Sequence, residues 1–282
     1  MSDSSLVSIY IPTFNRVDLL QRAINSVLNQ TYKNIEVIVV DDFSTDNTYE
    51  FLKEISEKDN RVRYFIKEKN SGACSSRNIA IKNATGKFIT GLDDDDFFEE
   101  NRIQSFINAW KIKNTDTVAL SSLYTVKNEG KLRYGKKILR KKIIKFNDMF
   151  LSNPVGNQIF TKTETLRKIN GFDENLKCWQ DLECWLRVLQ LGNIEKIFNH
   201  TYIIDVSHDK PRIGNSIHEK YLVSQRYISK KFNLSKKYSQ YLYLQTYNCN
   251  GVNLSLILCL KTFIRYPSIA LFLKTLLMIF KV

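Results

Sequence analysis

The stretch VSIYIPTFNRVDLLQRAINSVLNQTYKNIEVIVVDD, residues 7–42, changes its hydrophobic period twice. The apolar run Leu6–Ile11 gives way to the polar turn PTFNR. Val17–Leu28 then carries apolar residues at helical spacing, and a second apolar run, Ile35–Val40, ends on paired aspartates. The pattern continues with runs at Val62–Ile66 and Phe88–Leu92 and helical segments at Thr48–Ile55 and Ser75–Ala84. The runs start every 26 to 29 residues, the length of one strand, one helix and two turns. This rhythm predicts βαβ units and an α/β fold whose mostly parallel sheet is flanked by helices on both faces. Such sheets bind ligands beyond the carboxyl ends of their strands. Here those ends read PTFNR, DDFSTDN and DDDD.

Four adjacent carboxylates at Asp93–Asp96 raise one another's pKa unless something positive meets them. In an extended segment Asp93 and Asp95 share a face and can hold one hard divalent cation, Mg²⁺ or Mn²⁺, with phosphate and water completing its shell. The simpler role of capping the following helix suits Asp96 and Glu99.

Beyond these units, a helix is expected over Glu99–Lys113 and a strand over Thr117–Val126. Residues 127–145 hold nine Lys or Arg against one Glu and read as an exposed hairpin or loop. A helix with Leu182, Trp185, Leu186 and Leu189 on one side is expected before Gly192, and Asp205–His218 reads as a mobile loop. At 282 residues and 43% hydrophobic the chain can bury a proper core, which excludes a disordered class. The net charge of +13 is uneven: residues 1–219 carry +3, whereas residues 220–282 carry +10 with no acidic residue. Five cysteines without a C-x-x-C pair fit reduced packing thiols rather than a disulfide frame or zinc site. The start shows no secretion signal, so the N-terminus is expected to stay cytoplasmic.

VSIYIPTFNR, NQTYKNIEVIVVDDFSTDNT, NSGACSSRNIAIKNATGKFITGLDDDD and GFDENLKCWQDLECWLR resemble, in order and spacing, the inverting family 2 glycosyltransferases of GT-A fold, over about Val7–Gly192. The resemblance implies a nucleotide-sugar donor, most simply a UDP-hexose, and Mn²⁺ or Mg²⁺ as cofactor. It assigns Pro12, Thr13, Asn15 and Arg16 to the donor, Asp42 to its base, and Gly72 and Arg77 to its phosphates. Asp93 and Asp94 fall near the ribose, Asp93 and Asp95 at the metal. The family places its proton-accepting carboxylate in an acidic pair before a DLWLR-like helix. Here the pair is Gln180-Asp181, which leaves Asp181 as the matching base, although a carboxylate there can also simply cap the helix. Trp179 is the better candidate for stacking on an acceptor sugar, and Trp185 reads as core. In SHDKPRIGNS, His208 is expected at the metal and Arg212 at the diphosphate, on a loop closing over the donor.

These readings divide the chain into a GT-A domain, 1–218, with a nucleotide-binding half, 1–115, and an acceptor half, 116–218, followed by a basic helical tail, 219–282. The tail is interrupted by Lys261, Arg265 and Lys274, too often to span a bilayer. It is expected either to lie in the plane of an anionic membrane or to pack on the protein's own core. Family members with such tails build surface polysaccharides on lipid-diphosphate carriers at the inner face of the bacterial membrane, which implies a glycan or lipid-diphosphate acceptor and no nucleic-acid partner. The rivals are a sugar nucleotidyltransferase, which lacks support because no Gly-rich basic signature follows the first strand, and a non-catalytic lipid or nucleic-acid binder, which leaves the strand-end clusters unexplained.

Overall fold

The computed structural model describes residues 4–134, 141–210, 218–248 and 255–269, together with 271, 272 and 275. Strands β1 (Val7–Thr13), β2 (Ile35–Asp41), β3 (Val62–Ile66) and β4 (Phe88–Gly91) pair in parallel in the order β3-β2-β1-β4. Helices α1 (Val17–Leu28), α2 (Thr48–Lys58) and α3 (Ala73–Asn83) form their crossovers. The register sets Val7 beside Ile35 on one side and Phe88 on the other, so the carboxyl ends of all three strands open on one edge.

After β4 the alternation ends. A two-residue strand β5 (Phe97–Phe98) precedes α4 (Arg102–Lys111) and the long β6 (Thr117–Asn128), which turns through Glu129-Gly130 into β7 (Lys131–Tyr134). The expected basic hairpin is thus present up to residue 134; residues 135–140 lie outside the described residues. The chain continues through β8 (Ile143–Ile144), β9 (Phe160–Lys162), α5 (Thr163–Lys168), α6 (Gln180–Leu189) and β10 (Asn193–Asp205). Strand β9 inserts antiparallel between β4 and β6, and β10 runs parallel to β6. The sheet is therefore mixed at this end and parallel at the other.

Side-chain alternation explains why the strands read as unbroken apolar runs: both faces are buried. Val7, Ile9 and Ile11, with Val37 and Val39, meet Leu20, Ile24, Leu52, Ile103 and Phe106 from α1, α2 and α4. Tyr10, Ile38 and Val40 belong to the opposite core, with Ala80 of α3 and Leu182 and Trp185 of α6. Three C-terminal helices, α7 (His218–Lys231), α8 (Lys236–Gln245) and α9 (Leu256–Arg265), add Ile228, Leu242 and Cys259 to the buried residues. Cys74, Cys178, Cys184 and Cys259 are buried free thiols, as their sequence pattern implied. Among the described residues no helix is long and apolar enough to cross a membrane.

Candidate functional site

The loop after β1 and the loop after β2 are laced together. Asn15, in the left-handed region at φ 53°, donates its N–H to Ser44 Oγ (2.8 Å) and accepts the N–H of Thr45 on its side chain (2.7 Å). Pro12 lies buried inside β1 opposite Val40. Asp42 accepts the N–H groups of Ser71 (2.9 Å) and Gly72 (2.7 Å) and pairs with Lys67, so it pins the loop that opens α3. Gly72 opens that helix at φ 90°, a backbone conformation glycine adopts without steric cost.

Asp93–Asp96 is not extended. The N–H of Asp96 donates to the carbonyl of Asp93 (3.0 Å), which closes a tight turn and cancels the expectation that Asp93 and Asp95 share a face through strand alternation. The turn sets each of the four carboxylates against a donor, Asp94 and Asp95 sharing one cation, which offsets part of their repulsion. Asp93 accepts from Arg77 (3.0 Å) and from Gln158 Nε2 (3.3 Å). Asp94 accepts the Thr13 hydroxyl (2.9 Å), and one nitrogen of Arg16 reaches both Asp94 (2.9 Å) and Asp95 (3.2 Å). Asp96 accepts the N–H of Asp205 at 3.1 Å. Burial pushes the Asp94 carboxyl up to about 6, against the pull of Arg16.

His208 brings its Nε2 to 3.6 Å from Asp95 Oδ2. That nitrogen is buried and makes no hydrogen bond, while Nδ1 accepts the N–H of Lys210 at 3.2 Å. With Nδ1 accepting, the neutral ring carries its proton on Nε2. Were that proton moved to Nδ1 and the Lys210 contact released, the Asp95 oxygen and this nitrogen would suit Mn²⁺ or Mg²⁺ that takes its remaining ligands from phosphate and water. Among the described residues no set of three His, Cys, Asp or Glu side chains is gathered for a metal, and Asp93 is turned toward Arg77 instead. Arg212 lies outside the described residues.

Arg77 crosses from this turn to α6. Its guanidinium donates to Asp93 and to Gln180 Oε1 (2.9 Å) and rests over the Phe172 ring, 5.2 Å from the centroid. Gln180 thus accepts from a cation where an acidic residue was expected. The next residue, Asp181, sits in the first turn of α6, two places inside the N-cap position, which Trp179 occupies at φ 56°, so it does not cap the helix. Asn153 Nδ2 donates to Asp181 Oδ2 at 3.0 Å. Burial pushes the Asp181 carboxyl up to about 6, although the N–H of Leu182 and the charge of Arg77 both favour its anion. Part of the residue nonetheless remains accessible. Trp185 is fully buried and donates to the Gly156 carbonyl (3.0 Å); Trp179 is half-buried, edge-on to Tyr221 at 5.4 Å.

Several partners had no signal in the sequence. Gln158 accepts the Tyr10 hydroxyl (2.8 Å) while donating to Asp93, and a Cβ on Gly91 would overlap both side chains of that pair. Arg22 donates to the Asp95 carbonyl (2.6 Å) and pairs with Asp205. Asn153 and Gln158 lie in an irregular segment, and Arg22 looks like any solvated helix cation.

A profile of the family described as Glycosyl transferase family 2 matches residues 8–171. A protein of Escherichia coli (strain K12) that carries the name of a colanic acid biosynthesis glycosyl transferase, WcaA, is 36% identical over 220 residues, 77% of this chain and 78% of that protein. Other relatives are longer proteins of which the chain spans about a third. Among solved structures, S. aureus TarS 1–349 in complex with UDP-GlcNAc superposes with a TM-score of 0.67 at 22% identity, covering 86% of this chain and 71% of that one. The mannosyltransferase PcManGT from Pyrobaculum calidifontis, in complex with GDP-Man and Mn²⁺, superposes with a TM-score of 0.61 at 16% identity, covering 94% and 76%. At these identities the structural matches establish the GT-A fold.

Proposed function

The chain belongs to glycosyl transferase family 2, and from that premise we infer an inverting, metal-dependent transfer of a hexose from a UDP-sugar to a growing surface polysaccharide. The observation that carries this reading is the reach of Arg77, which holds Asp93 of the acidic turn at 3.0 Å and Gln180, the neighbour of Asp181, at 2.9 Å. One guanidinium thereby fixes the distance between a donor-side turn and a carboxylate suited to proton transfer. The UDP-GlcNAc bound to TarS and the colanic acid name of the Escherichia coli relative support the donor and product classes.

In this reading the nucleoside lies across the ends of β1 and β2, between Thr13 and Asp42. Asp95 and His208 would hold Mn²⁺ or Mg²⁺, which when bound supplies positive charge against the departing diphosphate; the Mn²⁺ in PcManGT supports that assignment. The acceptor hydroxyl enters beside Asp181. Its proton passes to the Asp181 carboxylate as its oxygen bonds to the anomeric carbon, and the bond from that carbon to the diphosphate oxygen breaks. Nucleoside diphosphate leaves with the electron pair and the anomeric configuration inverts. Asn153 orients Asp181, and Gln180, being neutral, adds no second charge that would hold the proton on it.

The acceptor is a glycan or a sugar-diphosphate-lipid at an anionic membrane surface, where the C-terminal helices provide attachment. A panel of nucleotide sugars tests the proposal, assayed with Mn²⁺, with Mg²⁺ and in chelator, against both acceptor types. Nucleoside diphosphate should appear only with metal and acceptor, and the product should have inverted configuration. Release of pyrophosphate would indicate a nucleotidyltransferase, and retained configuration would overturn the one-base displacement.

A further inference from the structure

Between α8 and α9 lies a cleft of about 450 Å³ whose lining includes Lys236, Lys261 and Arg265 with the polar side chains of Ser239, Gln240 and Thr262. These three cations have no carboxylate partner among the described residues, and none is near in sequence, because the last acidic residue is Glu219. Arg265 instead lies over the Tyr266 ring, 5.5 Å from its centroid, and Gln240 donates to the Thr262 hydroxyl at 3.3 Å. The Thr262 hydroxyl donates in turn to the Leu258 carbonyl (2.8 Å), so the Gln240 and Thr262 side chains are spent on holding α9 against α8. The three cations, with no carboxylate partner among the described residues, are what the cleft offers to a phosphate.

The surroundings narrow the source of that phosphate. On α9, Cys259 and Thr262 are buried against the protein. One quarter-turn beyond Lys261, the same helix presents Leu256, Ile257, Leu260 and Ile264 outward; Ile257 is 65% and Ile264 79% exposed, and Ile269, just past the helix, is 80% exposed. Going around α9, the order is core, cationic cleft, apolar strip. A soluble phosphate uses the cleft and leaves the strip in water. A bilayer lipid uses both, its phosphate in the cleft and its acyl layer against the strip, which is the arrangement of an in-plane helix.

We propose that the α8–α9 cleft is a seat for the phosphate of an anionic bilayer phospholipid, with Ile257, Leu260 and Ile264 inserted beside it. This rests on the membrane attachment inferred above and names the residues that make it. Binding of the full chain to vesicles of phosphatidylcholine, with and without phosphatidylglycerol, tests it by co-sedimentation. Lys236→Ser/Lys261→Ser/Arg265→Ser should weaken binding to the anionic vesicles by about a hundredfold, at roughly tenfold or less per cation removed. Ile257→Ser/Leu260→Ser/Ile264→Ser should also detach the protein, and high salt should not restore it. A control that removes the same charge elsewhere, Lys53→Ser/Lys111→Ser/Lys168→Ser, should bind nearly as the parent does. Equal loss in that control would reduce the effect to net charge and overturn the proposal. So would a parent chain that binds glycerol phosphate in solution but not the anionic vesicles. Turnover on a water-soluble acceptor, followed in parallel, keeps the two readings apart: the cleft variants should retain it, and its absence in the parent would count against the transfer reaction, not the lipid seat.

Discussion

The proton acceptor proposed here, Asp181, would work as an anion, yet its burial favours the neutral form and raises its carboxyl to about 6. Two outcomes follow from this one conflict. For the reaction, kcat/KM should rise with pH along an acidic limb with its inflection near 6 and level off above it, read from a pH–rate profile. For the fold, the native state binds more protons than the unfolded chain between about 4 and 6, so Asp181 lowers stability as pH rises through that window and keeps it lowered above. Asp181→Asn should therefore cut turnover about 10²-fold or more while leaving nucleotide binding intact. Its stability relative to the parent should improve by about 2 kcal/mol between pH 4 and pH 8, a figure reduced for the part of the residue that faces solvent, and seen by urea unfolding at each pH. For the proposed metal site, His208→Ala should raise the Mn²⁺ concentration needed for half-maximal binding by about tenfold or more, measured by the Mn²⁺ spectrum without any sugar present. The sequence points to the acidic turn by its run of four carboxylates, and to Asp181 only through the resemblance of the helix that follows it to the family's DLWLR-like segment. The spacing of Asp93 and Asp95 misled on geometry, because four like charges relax into a turn that alternation does not describe.

At the scale of elements, α6 is held by a carboxylate that the apolar pattern hides. Glu183 is fully buried, and Arg187 reaches both its oxygens at 2.8 and 2.7 Å, while Lys231 of α7 adds a third contact at 2.8 Å. Lys231 also pairs with Asp173, whose carboxyl its own set of donors holds well below the usual range in spite of partial burial. Arg187→Leu leaves Glu183 buried with only one cation and should cost about 3–5 kcal/mol in thermal or urea unfolding. Adding Glu183→Leu should recover most of it, which a simple packing defect at the substituted position would not allow. The strands and helices of the first four repeats were legible because each runs long enough to show its period. Strands β5, β8 and β9 were not. Two or three residues carry no periodicity, and their places are set by partners far away, as when β9 enters between β4 and β6 to deliver Gln158 to Asp93.

For the molecule as a whole, the two faces of the sheet have different dependence on the C-terminus. The core under α1, α2 and α4 is built from residues no later than Tyr202 and Ile204, whereas the opposite core takes in Ile228, Tyr241, Leu242, Leu244 and Leu271 beside Trp185 and Phe150. The joint is specific as well as apolar: Tyr238 packs on Phe150 with ring centroids 5.1 Å apart, and Gln245 donates to the Met149 carbonyl at 2.6 Å. Net charge along the chain marks residues 220–282 as a basic appendage, but charge reports the solvent side of a helix and is blind to what its other side covers. Removing residues 219–282 should therefore act on one face only. With four or five large side chains withdrawn from that core, the melting temperature should fall on the order of 10 °C or more. Asp181, the proposed base, belongs to the uncovered face through α6, while Thr13, Asp42 and the turn at Asp93 are anchored to strands whose other face stays packed. Transfer should consequently be lost even on a water-soluble acceptor, with UDP affinity reduced much less, a contrast that calorimetric titration and a turnover assay on the same truncated protein would reveal. Unchanged melting with full turnover on the soluble acceptor would show that these helices serve the membrane alone.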